Sequence, residues 1–232
     1  MPKIVDHAAR RAEIVHGLWL VIYTRGIDSV TFRSVAESAG ISIGRVQHYF
    51  SSREELVLEG CRQLVAGAEL DDEAGGPSED ADPVAALRDF LHAFIPEGEA
   101  MRMGASVWFT YIAKAVGDAN IAEVVVDNDH KTAEAARRRV RAVSDAVDSS
   151  ESAPSSGLTP SSGSSDSRGD DASAPEVSSG RSARDIDVAA RVVALAKGLA
   201  QDVMLESRSP ESAYRILDDE VSRIVADAAA GS

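Results

Sequence analysis

At 232 residues, 44% hydrophobic and 5% aromatic, the chain can bury a real core in one or two small domains, and its composition is ordinary for a soluble helical protein. It has no apolar run of 18 residues and no signal-peptide pattern, so a cytoplasmic protein without membrane contact is expected, and its single cysteine, Cys61, excludes an internal disulfide and a cysteine-based zinc site. The net charge of −14 speaks against nucleic-acid binding until its distribution is read: up to Arg53, seven basic residues stand against four acidic ones, about +3, and the remainder carries about −17.

The first amphipathic helix is expected from about His7 to Thr24, with Ile14, Val15, Leu18, Trp19 and Ile22 on one face, ending at Gly26. Val30 to Leu56 then reads as a helix-turn-helix. Val35, Ala36, Ala39, Ile41, Val46 and Phe50 are spaced to bury one face of two short helices, and Gly40 suits the left-handed turn between them. Thr31 and Ser42 are N-caps, and Ser52-Arg53-Glu54-Glu55 is a capping box opening a fourth helix. In such a motif the second helix enters the major groove, so Ser42, Ile43, Arg45, Gln47 and His48 are expected on its outer face. Arg45 suits the O6/N7 edge of guanine, Gln47 the N6/N7 edge of adenine, and Ile43 a thymine methyl.

The fourth helix is expected from Arg53 to about Leu70, followed by an acidic loop over 71–82. Pro83 opens a fifth, carrying Leu87, Leu91 and Phe94; a sixth runs from about Glu99 to Val116 and a seventh from Asn120 to Val147. Arg137, Arg138, Arg139 and Arg141 read as a solvated face. Residues 148–182, rich in Ser, Gly, Pro and Asp, cannot bury enough apolar surface to offset their ordering entropy and are expected to be disordered. An eighth helix from Asp185 and a ninth from Pro210 complete an all-α chain of about nine helices. Asp127, Asp129, His130 and Glu134 have ligand-like types, but a solvated helix face is the plainer reading, and no metal, cofactor or catalytic residue is expected. Cys61 reads as a small buried hydrophobe rather than an oxidation sensor.

The sequence resembles the TetR family of bacterial regulators. The resemblance rests on Arg25-Gly26, Val30-Thr31-Phe32-Arg33, Val35-Ala36, Ala39-Gly40-Ile41-Ser42, His48-Tyr49-Phe50 and Arg53-Glu54-Glu55-Leu56, within residues 8 to 66. The Val46-Gln47-His48-Tyr49-Phe50 form is similar to the BetI-like branch, although many members carry Tyr at Gln47 and Lys at Arg53. The resemblance implies a three-helix DNA-binding head over 1–53 and a ligand-binding and dimerisation body over 54–232. It implies phosphate contacts for Thr31, Ser42, His48, Tyr49 and Arg53, with Arg33 and Gly44 completing the DNA-binding set. It further implies a homodimer on a palindromic operator of double-stranded DNA, and a small-molecule effector bound among Phe90, Phe94, Met103, Trp108, Phe109 and Tyr111. Each of these six is also a plain core candidate. Ala190, Ala194, Gly198, Leu217, Val221 and Ile224 are the dimer-interface set, with packing inside one chain as the alternative. An activator without an inducer shares the same head. A helical enzyme or carrier would need a buried polar constellation that is not visible.

Overall fold

A computed structural model describes residues 7–74, 82–151 and 174–230. Among them are nine α-helices: α1 His7–Arg25, α2 Phe32–Ser38, α3 Ile43–Tyr49, α4 Arg53–Ala74, α5 Pro83–His92, α6 Gly98–Ala115, α7 Ala119–Glu151, α8 Ala174–Met204 and α9 Pro210–Ala230. A 3₁₀ turn, Ile27–Ser29, joins α1 to α2. Among the described residues there is no strand, and no helix is long and apolar enough to cross a membrane.

Three helices exceed their expected lengths. α4 continues through the acidic residues to Ala74, because Glu and Ala favour helix and residues 71–74 include neither Gly nor Pro. α7 reaches Glu151 for the same reason, having neither Gly nor Pro along it. α8 begins at Ala174, eleven residues before Asp185, with Pro175 in its first turn, where the missing N–H breaks no helical bond. Both ends of the segment expected to be disordered are thus helical, and 152–173 lie outside the described residues.

The chain divides into two compact units. The first comprises Met1–Gly76, Ile95–Thr132 and Ala200–Pro210. Its core runs without a break from Val15, Leu18 and Val35 through Val46, Phe50 and Leu56 to Tyr111 and Ile121. Two glycines let its helices approach closely. A Cβ on Gly17 of α1 would stand 2.8 Å from that of Ala39 beyond α2. On Gly60 of α4 it would strike the Leu18 side chain and the Tyr111 hydroxyl. Around Gly60 the Trp19 indole donates to the Gly60 carbonyl at 3.1 Å, and the Tyr111 hydroxyl donates to the Val57 carbonyl at 3.0 Å. Cys61 is fully buried beside them, and that burial pushes its thiol up to about 11.

The second unit comprises Pro77–Phe94, Ala133–Leu199 and Glu211–Ser232. Leu87 and Leu91 of α5, Ala136, Val140 and Val143 of α7, Val192 and Ala196 of α8, and Leu217 and Val221 of α9 are buried there. Asp218 of α9 accepts from Arg88 Nε and faces His92 Nε2, each at 3.0 Å, tying α9 to α5. Glu220, only 7% exposed, is neutralised by Arg191 of α8 at 3.1 Å and Arg223 at 3.0 Å. The expectation of a solvated arginine face fails at Arg139, which is 6% exposed. It shares a helical stripe with Ala136 and Val143, its guanidinium lies 4.4 Å over the Phe90 ring, and Nη1 donates to the Ala135 carbonyl.

Candidate nucleic-acid interface

Local capping builds the helix-turn-helix. The Thr31 hydroxyl accepts from the Ser34 amide at 3.0 Å while Ser34 Oγ accepts from the Thr31 amide at 2.9 Å, a reciprocal box that starts α2. α2 ends in a Schellman motif. Gly40 has φ 66°, its amide donates to the Glu37 carbonyl at 3.3 Å, and the Ile41 amide donates to the Ala36 carbonyl at 2.9 Å. The Ser42 hydroxyl then accepts from the Arg45 amide and starts α3. At α4 the expected box is altered: Ser52 caps the Glu55 amide, but the Glu55 carboxylate reaches to the amide and hydroxyl of Ser51, at 2.8 and 2.6 Å. These bonds hold the Glu55 carboxyl below its usual range.

Val46 of α3 and its C-cap Phe50 are buried, so the opposite face is presented outward. Ser42, Ile43, Gly44, Arg45, Gln47 and His48 are all exposed there, as are Thr31 and Arg33 at the start of α2. A Cβ on Gly44 would meet nothing within 4 Å, so nothing among the described residues covers α3 at that position. Tyr49 is half-buried against the core, and its ring centroid lies 5.7 Å from that of His7 and 5.2 Å from that of His48. Arg53 is half-buried and structurally engaged: Nε donates to the Val30 carbonyl and Nη2 to the Ile27 carbonyl, both at 2.8 Å.

Sequence reasoning passed over Arg11. Its Nη1 donates to the Tyr49 carbonyl at 3.0 Å, its guanidinium lies 4.4 Å from the Phe50 ring centroid, and Nη2 stands 3.3 Å from Glu59. Nothing local marks it, because its partners are 38 or more residues away. Gly17 and Gly60 were also passed over, although a glycine inside a helical pattern commonly signals close packing.

The six candidate effector residues are not brought together in one unit. Phe90 and Phe94 lie edge to face in the second unit, at 5.5 Å between centroids. Met103, Trp108, Phe109 and Tyr111 belong to the first, where Tyr111 is fully buried and Trp108 packs on the core. The dimer set divides as well. Ala190, Ala194 and Gly198 form an exposed line on α8, whereas Leu217, Val221 and Ile224 are buried inside the chain and offer a partner no surface. Among the described residues no three His, Cys, Asp or Glu side chains converge as a metal site. Asp127 pairs with Lys131 and Glu134 with Arg137 along α7.

A capped pair of short helices across a Schellman turn, with the outer face of the second left open, defines a helix-turn-helix protein. Residues 14–59 match the family described as bacterial regulatory proteins, tetR family. The regulator PksA of Bacillus subtilis is 34% identical over 115 residues, covering 50% of this chain and 56% of its own length. BetI of Stenotrophomonas maltophilia is 26% identical over 133 residues, 56% of this chain and 67% of its own. The matches therefore span about half to two thirds of these relatives. In fold, the chain is similar to a transcriptional regulator from Rhodococcus sp. Rha1, with a TM-score of 0.69 at 21% identity, covering 94% of this chain and 97% of that one. It is also similar to a regulator from Saccharomonospora viridis solved in complex with choline, with a TM-score of 0.66 at 18% identity, covering 93% and 96%. Residues 14–59 thus carry the TetR-family helix-turn-helix, and the chain shares its fold with these solved regulators.

Proposed function

We propose that the protein is a DNA-binding transcriptional regulator, a homodimer that represses from a palindromic operator and is released by a small molecule. The observation that carries this reading is the open outer face of α3, where Arg45, Gln47 and His48 stand exposed while Val46 is buried behind them. Residues 1–53 form the DNA-contacting part on this reading, and the remainder serves binding and dimerisation. One such helix contacts too few base pairs to select an operator, so a twofold-related pair is required, with heads about 34–36 Å apart or at another groove-matched spacing. The exposed line of Ala190, Ala194 and Gly198 supports close approach of a second copy at α8. Release follows if the effector favours a head spacing that DNA does not, with α4 transmitting the difference. Choline, bound by the Saccharomonospora regulator, is the first effector to test, because quaternary ammonium groups are held by aromatic faces.

Binding-site selection from random duplex DNA at stated salt tests the reading. Enrichment of a palindrome supports it. A folded protein that enriches nothing refutes sequence-specific regulation, and unchanged affinity for the selected site across a choline titration removes choline.

A further inference from the structure

We infer that Arg11 is the positioning residue through which α4 sets the pose of α3. This rests on the reading of α3 as the helix that enters the groove. α3 has only seven residues, and its carbonyls near Tyr49 have no partner within the helix. Arg11 supplies one from α1: Nη1 donates to the Tyr49 carbonyl at 3.0 Å, placing a cation where the helix dipole is negative. The same guanidinium lies 4.4 Å over the ring of Phe50, the buried C-cap of α3. Its other end faces α4, with Nη2 3.3 Å from Glu59 and 4.0 Å from Glu55.

Glu55 also holds the amide and hydroxyl of Ser51 in the α3–α4 link, so the first two turns of α4 grip both the link and the arginine. The base from which Arg11 reaches is firm, since α1 packs on α2 at Gly17 with no space for a Cβ. Any shift of Glu59 relative to α1 therefore pulls on the group bonded to the last residue of α3. Lysine cannot replace it: a single ammonium lacks the planar fork that bonds a carbonyl, meets a carboxylate and covers a ring at once.

Two variants separate this role from an ordinary phosphate contact. If Arg11 merely attracts DNA, Glu59→Gln removes a neighbouring negative charge and tightens binding to the selected site and to random duplex alike. If Arg11 positions α3, Glu59→Gln weakens the selected site roughly 2- to 30-fold while random-duplex binding does not weaken, and Arg11→Lys does not rescue selectivity. Tightening on both DNAs, or full selectivity in Arg11→Lys, overturns the proposal.

Amide hydrogen exchange in the DNA-free protein gives a second readout. Glu59→Gln should speed exchange at Val46–Phe50 and leave Val15–Ile22 of α1 unchanged; no change at α3, or uniform acceleration across the head, overturns the proposal. Should the wild-type protein select no sequence, the functional reading fails separately, and the exchange experiment alone decides whether Arg11 and Glu59 hold α3.

Discussion

Replacing Gly60 by alanine sets helix propensity against packing. Within α4, Gly→Ala should gain about 1 kcal/mol from propensity alone. The new methyl group, however, would strike Leu18 of α1 and the hydroxyl of Tyr111 of α6, both fully buried and unable to swing into solvent. Overpacking of this kind costs about 1–3 kcal/mol. Displacing the Tyr111 hydroxyl from the Val57 carbonyl sacrifices a buried hydrogen bond worth about 0.5–1.5 kcal/mol. Packing wins, and a net loss of about 1–3 kcal/mol is expected, lowering Tm by about 2–4 °C per kcal/mol in a chain of this size.

Urea and thermal unfolding of Gly60→Ala, Tyr111→Phe and the double variant measure the effect. Removing the phenolic oxygen relieves one of the two collisions, so the double variant should be less destabilised than the sum of the singles. A Gly60→Ala protein as stable as the parent, or more stable, would refute the close three-helix junction. Strict additivity would refute the part assigned to Tyr111.

Arg45→Ala should cost about 1–3 kcal/mol on the selected DNA site and relax one base preference, measured by repeating the selection; equal loss on random DNA would make Arg45 a phosphate contact instead. Arg53→Ala should lower stability by about 1–3 kcal/mol in denaturant titration, because the Ile27 and Val30 carbonyls lose their charged donor. A flatter salt dependence of DNA affinity in that variant would add a phosphate role, and unchanged stability would sink the structural one. Glu206→Gly should stabilise by about 1 kcal/mol in thermal unfolding, since Glu206 sits at φ 58° in the Schellman turn ending α8, at the expense of its exposed ion pair with Arg102. Cys61 should resist a thiol reagent at pH 8 until denaturant is added, because it is buried and its thiol is pushed up to about 11; rapid labelling of the native chain would contradict this.

The helix-turn-helix was legible in the sequence because its determinants are local. Thr31, Gly40 and Ser42 act within five residues of themselves through caps and one left-handed turn, and apolar spacing decides that Val46 faces inward and Arg45 outward. The same periodicity located the other helices, but not the true start of α8, because Ser-rich composition with little apolar content resembles loop whether or not the backbone is helical.

Local pattern could not settle what a side chain meets across the fold. Leu217, Val221 and Ile224 make an apolar stripe that suits either a partner or the chain's own core, and only the assembled helices assign them to the core. Arg139 looked like one more solvated arginine until its stripe on α7 met Phe90. Arg11 has ordinary neighbours in sequence, yet it bonds Tyr49 and Glu59. Period and capping act over one or two helical turns and are written in the order of residues. The partners of a long side chain depend on which helices pack together, and packing sums many weak contacts between segments far apart in the chain.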